Sequence, residues 1–169
     1  MKIGILTYFW AENPGTFLQA YSTFMAVKTL FPEDKVEMIN VKLRNVYFKP
    51  QKDYMFSPKK LSKALLRFYG FKKGLKKIDF SPGKYVGKDT NKALAYIKKQ
   101  AYDIILVGSD TVFKLYNWNY ESDSLPVYYL DDISARKIMV AASCCSTSIG
   151  DLSPKMKKIA HKCLNDFYK

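Results

Sequence analysis

The chain has 169 residues, 48% of them hydrophobic and 15% aromatic, and a formal net charge of +13 at pH 7. That length and composition fit one globular domain with a sizeable core, and no apolar run approaches the roughly 18 residues that a membrane-spanning helix needs. Cys144, Cys145 and Cys163 have no framework spacing, which points to a reducing cytoplasm and not to a disulfide scaffold; no cluster has zinc-site spacing, so no metal is expected.

The opening "MKIGILTYFW" lacks a small-residue cleavage site, so residues 2–8 read as a buried first strand and not as a signal peptide. Residues 16–31 place Phe17, Ala20, Tyr21, Phe24, Val27 and Phe31 near helical spacing, and Pro32 ends that helix. Residues 36–42, "VEMINVK", read as a second strand. A β-turn-α-β opening favours a parallel α/β sheet. Ser57-Pro58 looks like the cap of a short basic helix reaching about Gly70, and residues 78–89, with Pro82, Gly83 and Gly87, read as loop. A helix is expected at about 90–99. "YDIILVGSD", 102–110, reads as a fully buried strand ending in a turn at Gly108, and 114–126 as a polar, aromatic loop. "PVYYLDD", 126–132, reads as a short edge strand and "RKIMVAASC", 136–144, as another buried one. Ser153-Pro154 starts a last helix that runs into the C-terminus.

The basicity is local. Residues 42–99 hold 17 of the 28 Lys and Arg and three acids, Asp53, Asp79 and Asp89, for a segment charge of +14; the remainder sums to −1. Such a segment can meet nucleic acid phosphates, lie on an anionic membrane, or be a solvated surface. Lysine outnumbers arginine there, with only Arg44 and Arg67. This disfavours specific base readout, which leans on arginine, and no RNA-binding signature is present.

Ligands of open α/β sheets bind beyond the carboxyl ends of the strands. Three junctions have that position: Asn13-Pro14-Gly15-Thr16, Gly108-Ser109-Asp110 and Ser143-Cys144-Cys145-Ser146. The first reads as a helix cap, Asn13 capping and Pro14 at the first helical position, or as an anion or hydroxyl site on the helix N-terminus. It is neither a dinucleotide fingerprint nor a phosphate-binding loop. Asp110 can bind a sugar hydroxyl or act as a base, or simply cap its own backbone in an Asx-turn. The cysteines read as small, packed and inert, and His161 as a plain helix residue.

Taken in order, these motifs resemble the amino-terminal half of the polysaccharide pyruvyl transferase family. The family opens with a strand of the type "KIGILTY" and continues Asn-x-Gly-x-x-Leu-Gln-Ala, matched by Asn13, Gly15, Leu18, Gln19 and Ala20. Its "YD-x-x-x-x-GSD-Q-V-W-N" strand is matched from Tyr102-Asp103 through Gly108-Ser109-Asp110, with Thr111-Val112-Phe113-Lys114 standing where the family has Gln-Val-Trp-Asn. Its "VYFLDF" and "K-x-x-Y-A-A-S-F-G" stretches correspond to Val127–Asp132 and Lys137–Cys145, with Ser143-Cys144-Cys145 standing where the family has Ser-Phe-Gly.

The resemblance implies one three-layer, Rossmann-like α/β domain over residues 1–169, with a mostly parallel sheet and a basic, partly irregular insert at about 43–90. It would be the first half of a two-domain transferase of the GT-B type, cytoplasmic or peripheral at the inner face of the membrane. The family transfers pyruvate from phosphoenolpyruvate to a hydroxyl of a cell-surface or exported glycan, as a ketal, and needs no cofactor. This half would line the acceptor side with Asn13, Gly15, Thr16, Gln19, Gly108, Ser109, Asp110 and Ser143, and Asp110 would position or deprotonate the acceptor hydroxyl. The partners implied are a saccharide or lipid-linked saccharide and either a missing C-terminal, donor-binding domain or a second copy of the chain. Catalysis is not expected from this half alone, since the catalytic groups must be held in a closed, preorganised cleft. The competing reading is a non-catalytic module that uses residues 42–99 to attach to an anionic membrane, acidic glycan or nucleic acid.

Overall fold

A computed structural model describes residues 1–10, 13–43, 69–115, 125–144, 150 and 152–168. Strand β1 (Lys2–Leu6) is buried from Ile3 onward, as a central parallel strand covered on both faces must be. Helix α1 (Pro14–Leu30) follows. The Asn13 side chain accepts from the Gly15 N–H at 2.9 Å, and Pro14 occupies the first turn, where an N–H has no helical partner. The helix packs Ala20, Phe24 and Val27 into one cluster with Ile3, Ile5, Val36 and Met38.

The single strand expected at 36–42 is in fact two, β2 (Lys35–Met38) and β3 (Val41–Leu43). β2 runs parallel to β1, whereas β3 leaves that sheet and pairs in parallel with β4 (Tyr85–Gly87). The break falls at Asn40, whose N–H donates to the Ser81 hydroxyl and whose amide donates to the Gly83 carbonyl. Residues 78–89 therefore contribute a strand where a loop was expected; partners distant in sequence override the local Pro82-Gly83 signal. Up to residue 68, the basic helix expected from Ser57 lies outside the described residues. Helical structure is present at 69–75 and so passes Gly70. It packs on α1 through Phe71 and Phe17, whose ring centroids are 5.6 Å apart.

Helix α2 (Thr90–Lys99) matches its expectation and is capped by the Asp89 side chain. Strand β5 (Ile104–Asp110) does not turn at Gly108: its pairing with β6 (Arg136–Ala142) continues to Asp110 opposite Ala142. The expected edge strand at 126–132 is replaced by a 3-10 turn, Val127–Tyr129. Residues 125–130 are all buried, in one cluster with residues of α2 and of helix α3 (Pro154–Asn165). An edge strand would bury alternate side chains, and here no side is free. The last helix stops at Asn165, and β7 (Phe167–Tyr168) adds to β6 in parallel.

The main sheet has the order β2-β1-β5-β6-β7, and every pairing in it is parallel. α1 covers one face; α2, α3 and the 3-10 turn cover the other. The expected three-layer α/β architecture is therefore present. Among the described residues one carboxylate is buried in it: Glu37 on β2, held by Lys35 at 2.6 Å, Lys2 at 3.6 Å and the Tyr102 hydroxyl at 3.3 Å. Among the described residues no helix is long and apolar enough to cross a membrane. From β1 the chain steps outward to β2 and later returns to β5 on the opposite side of β1. The strand order thus reverses between β1 and β5, and the crevice position at which open α/β sheets bind ligands is the region beyond the carboxyl ends of these two strands.

Candidate functional site

The sequence motifs meet in this region. The chain just after β1 brings Thr7 and Tyr8, the first turn of α1 brings Thr16, the end of β5 brings Ser109 and Asp110, and Ser143 follows β6; Thr7, Tyr8 and Ser109 are buried. The Asp110 carboxylate is shared. Its Oδ1 accepts from the Thr111 N–H at 2.6 Å and from the Thr111 hydroxyl at 3.3 Å, and its Oδ2 accepts from the Thr16 hydroxyl at 3.4 Å. The Asp110 carbonyl accepts the Ser143 N–H at 3.0 Å, and the Ser143 carbonyl accepts the Phe113 N–H at 3.1 Å. Thr16, Asp110 and Ser143, taken from three separate junctions, thus form one hydrogen-bonded unit. One Asp110 oxygen is held by the next residue, Thr111, and not by the residue two positions on that an Asx-turn would use, and the other faces Thr16 of α1 through a long bond.

Behind this unit lies a hydroxyl cluster. The Thr7 hydroxyl donates to the Ser109 carbonyl at 2.8 Å, the Ser109 and Thr23 hydroxyls are 3.4 Å apart, and the Thr23 hydroxyl donates to the Gln19 carbonyl at 2.9 Å. Thr7 and Thr23 escaped the sequence reading. A signal existed for Thr23: it follows Thr16 by seven residues, so both lie on one face of α1. Tyr8 was missed as well. It is buried, with its ring edge-on to Tyr128 at 4.9 Å. Burial first, and then the Asp110 carboxylate, push its phenol well above the ordinary tyrosine range.

The backbone here is constrained. Gly108 has φ +114°, and a Cβ on it would lie 2.1 Å from the Val140 carbonyl oxygen of β6. Asp110 has φ +107°, a region that L-residues rarely adopt and that costs about 1–3 kcal/mol; such residues concentrate at ligand sites.

The other candidates take different roles. Asn13 and Gly15 are exposed and bonded to each other as a cap. Pro14 has no N–H and Gly15 has committed its own, so at most one of the first three positions of α1 can meet a ligand. That makes a poor phosphate cradle. Gln19 is exposed one turn further along, and only its carbonyl reaches the cluster. Cys144 is exposed and not packed as expected, whereas Cys163 is buried; burial, and then the Asp131 carboxylate, raise its thiol pKa to about 11. Cys145 lies outside the described residues, and His161 is an exposed residue of α3. Among the described residues no group of three or more His, Cys, Asp or Glu is placed to hold a metal ion.

A cavity of about 390 Å³ lies at the opposite, amino-terminal edge, between Ile97, Lys98, Tyr102, Asp132 and Ser134. It touches none of the candidate residues. At the crevice side, the dent between Thr7, Trp10, Lys42 and Tyr128 measures about 10 Å³, room for roughly one water. A ligand pocket is commonly ~300–1,000 Å³, so this dent does not enclose a ligand.

No protein-family model matches the chain, and a search of curated proteins finds no matching relative.

Proposed function

We propose that the chain is the acceptor-side domain of a saccharide-modifying transferase, of the pyruvyl-transferase kind that its motif order resembles. The observation that supports this reading is the union of Thr16, Asp110 and Ser143 at the reversal point of a parallel sheet. The chemistry suits a neutral hydroxylated ligand. The wall offers a carboxylate oxygen held by one long bond, several hydroxyls and a serine, and its helix end is largely self-capped. Asp110 Oδ2 is the acceptor that an incoming sugar hydroxyl would meet in place of the Thr16 hydroxyl, orienting it or taking its proton. Ketal formation from phosphoenolpyruvate joins two sugar hydroxyl oxygens to the central carbon, turns its methylene into a methyl group and releases phosphate. The anionic donor would need a cationic surface facing this wall, which fits the family pattern of a second domain.

The test is an amide NMR titration of the chain with hexoses and N-acetylhexosamines. The reading expects saturable shifts at Thr16, Ser109, Asp110 and Ser143, lost in Asp110→Ala. Shifts confined to the cavity beside Tyr102, or none at millimolar sugar, would refute it. In a full-length relative, Asp110→Ala with a normal transfer rate would remove the role given to the carboxylate.

A further inference from the structure

The helical residues 69–75 and the outer side of α1 form a surface that the Thr16–Asp110–Ser143 unit does not use. Helical spacing places Tyr69, Lys72, Lys73 and Lys76 at i, i+3, i+4 and i+7, on one stripe. All four are exposed, and Tyr69 is 70% so. Phe71 and Gly74 turn the opposite way, onto Phe17 of α1, and Leu75 packs into the core beneath. Next to Phe17, α1 presents Leu18 at 58% exposure, and one further heptad along presents Met25 at 40%. α1 carries a single charge, Lys28, which is held by Asp79 at 2.6 Å. Asp79 is the acid nearest this stripe in sequence, so its charge is already matched. A surface helix with one charge in seventeen residues and large exposed apolar groups is not built for water alone.

We propose that this face is a peripheral docking surface for an anionic lipid bilayer. Four features fit that partner. The charges are lysines, which adsorb to anionic headgroups without needing a fixed geometry. A tyrosine stands in their midst, as at membrane–water boundaries. Apolar side chains flank the stripe and can enter the headgroup region. No arginine is present on the described part of the face to read base edges or clamp phosphates bidentately. Docking of this kind leaves the region beyond β1 and β5 open, because helical spacing puts Leu18 and Met25 on the side of α1 away from Thr16 and Thr23. It does not depend on the transferase reading.

The experiment is co-sedimentation of the 169-residue chain with phosphatidylcholine vesicles, with and without phosphatidylglycerol, across ionic strength. Partition is expected only with the anionic lipid and to fall steeply as salt rises. The double variant Lys73→Glu, Lys76→Glu should weaken it at least on the order of thirtyfold, taking the usual increment for two lysines. Leu18→Ser with Tyr69→Ser should weaken it at high salt, where only apolar contact remains. Lys155→Glu with Lys158→Glu on α3 makes the same charge change elsewhere and should have little effect; an equal loss there means nonspecific charge and overturns the proposal. Circular dichroism confirms that each variant is folded. Equal binding to neutral vesicles, tighter binding of single-stranded RNA than of vesicles through the same lysines, or self-association through Leu18 and Met25 in the absence of lipid would each overturn it.

Discussion

Replacing Gly108 by alanine tests the geometry of the crevice directly. The new Cβ would sit 2.1 Å from the Val140 carbonyl oxygen, 3.1 Å from its carbonyl carbon and 3.1 Å from the Ala142 Cβ. The first of these is backbone of the neighbouring strand, so no side chain can swing away. Relief requires β5 and β6 to part by about 1 Å at the point where Gly108 faces Val140 and Asp110 faces Ala142. Losing two or three ladder hydrogen bonds costs about 1 kcal/mol each, and an L-residue at φ +114° adds roughly 1–2 kcal/mol. The sum is about 3–5 kcal/mol, a large share of the ~5–15 kcal/mol that stabilises a typical domain. At roughly 2–4 °C per kcal/mol for this chain length, the melting temperature should fall by about 6–20 °C. Gly70→Ala is the matched control: nothing lies within 4 Å of its Cβ position, in a helical segment, so alanine should stabilise by about 0.5–1 kcal/mol. Scanning calorimetry or urea unfolding of both variants decides. A Gly108→Ala melting temperature close to the parent's would mean that β5 and β6 do not approach as described.

Three other outcomes are expected. Tyr129 is buried, and desolvation, with smaller effects from Cys144 and Cys163, raises its phenol pKa from 10 to about 12. A raised pKa favours the neutral phenol in the fold, so its stabilisation is complete below pH 10 and drains away between pH 10 and 12, by roughly 2–3 kcal/mol. Burial pushes Tyr8 and Tyr102 still higher. Urea midpoints followed across that range should fall, and Tyr129→Phe should fall less; an equal fall would remove Tyr129 as a cause. Thr16→Val should cost about 1 kcal/mol, and its effect should be less than additive with Asp110→Ala, since both remove the same contact. Strict additivity in a double-mutant cycle would separate the two residues. A thiol reagent at pH 8 should modify Cys144 in the native chain and Cys163 only on unfolding, read by peptide mapping; early labelling of Cys163 would contradict its burial on the inner side of α3.

The sequence by itself determined the elements whose signals are local. β1 and β5 are continuous apolar runs, α1 and α2 carry their caps at Asn13 and Asp89, and the small, polar residues after the buried strands mark the crevice. The elements it misplaced depend on partners far along the chain. β4 exists because β3 lies beside it, the 3-10 turn at Val127–Tyr129 exists because α2 and α3 close over it, and β7 exists because β6 leaves it an edge. None of those neighbours leaves a trace in the local pattern. The site divides in the same way. Residue type and position after a strand picked out Thr16, Ser109, Asp110 and Ser143. Only the tertiary structure decided that Asp110 divides its two oxygens between Thr111 and Thr16, that Thr7 and Thr23 stand behind Ser109, and that Gly108 is held at φ +114° against Val140. Those facts are distances between segments separated by tens of residues, set by strand order and helix packing, which a one-dimensional periodicity does not contain.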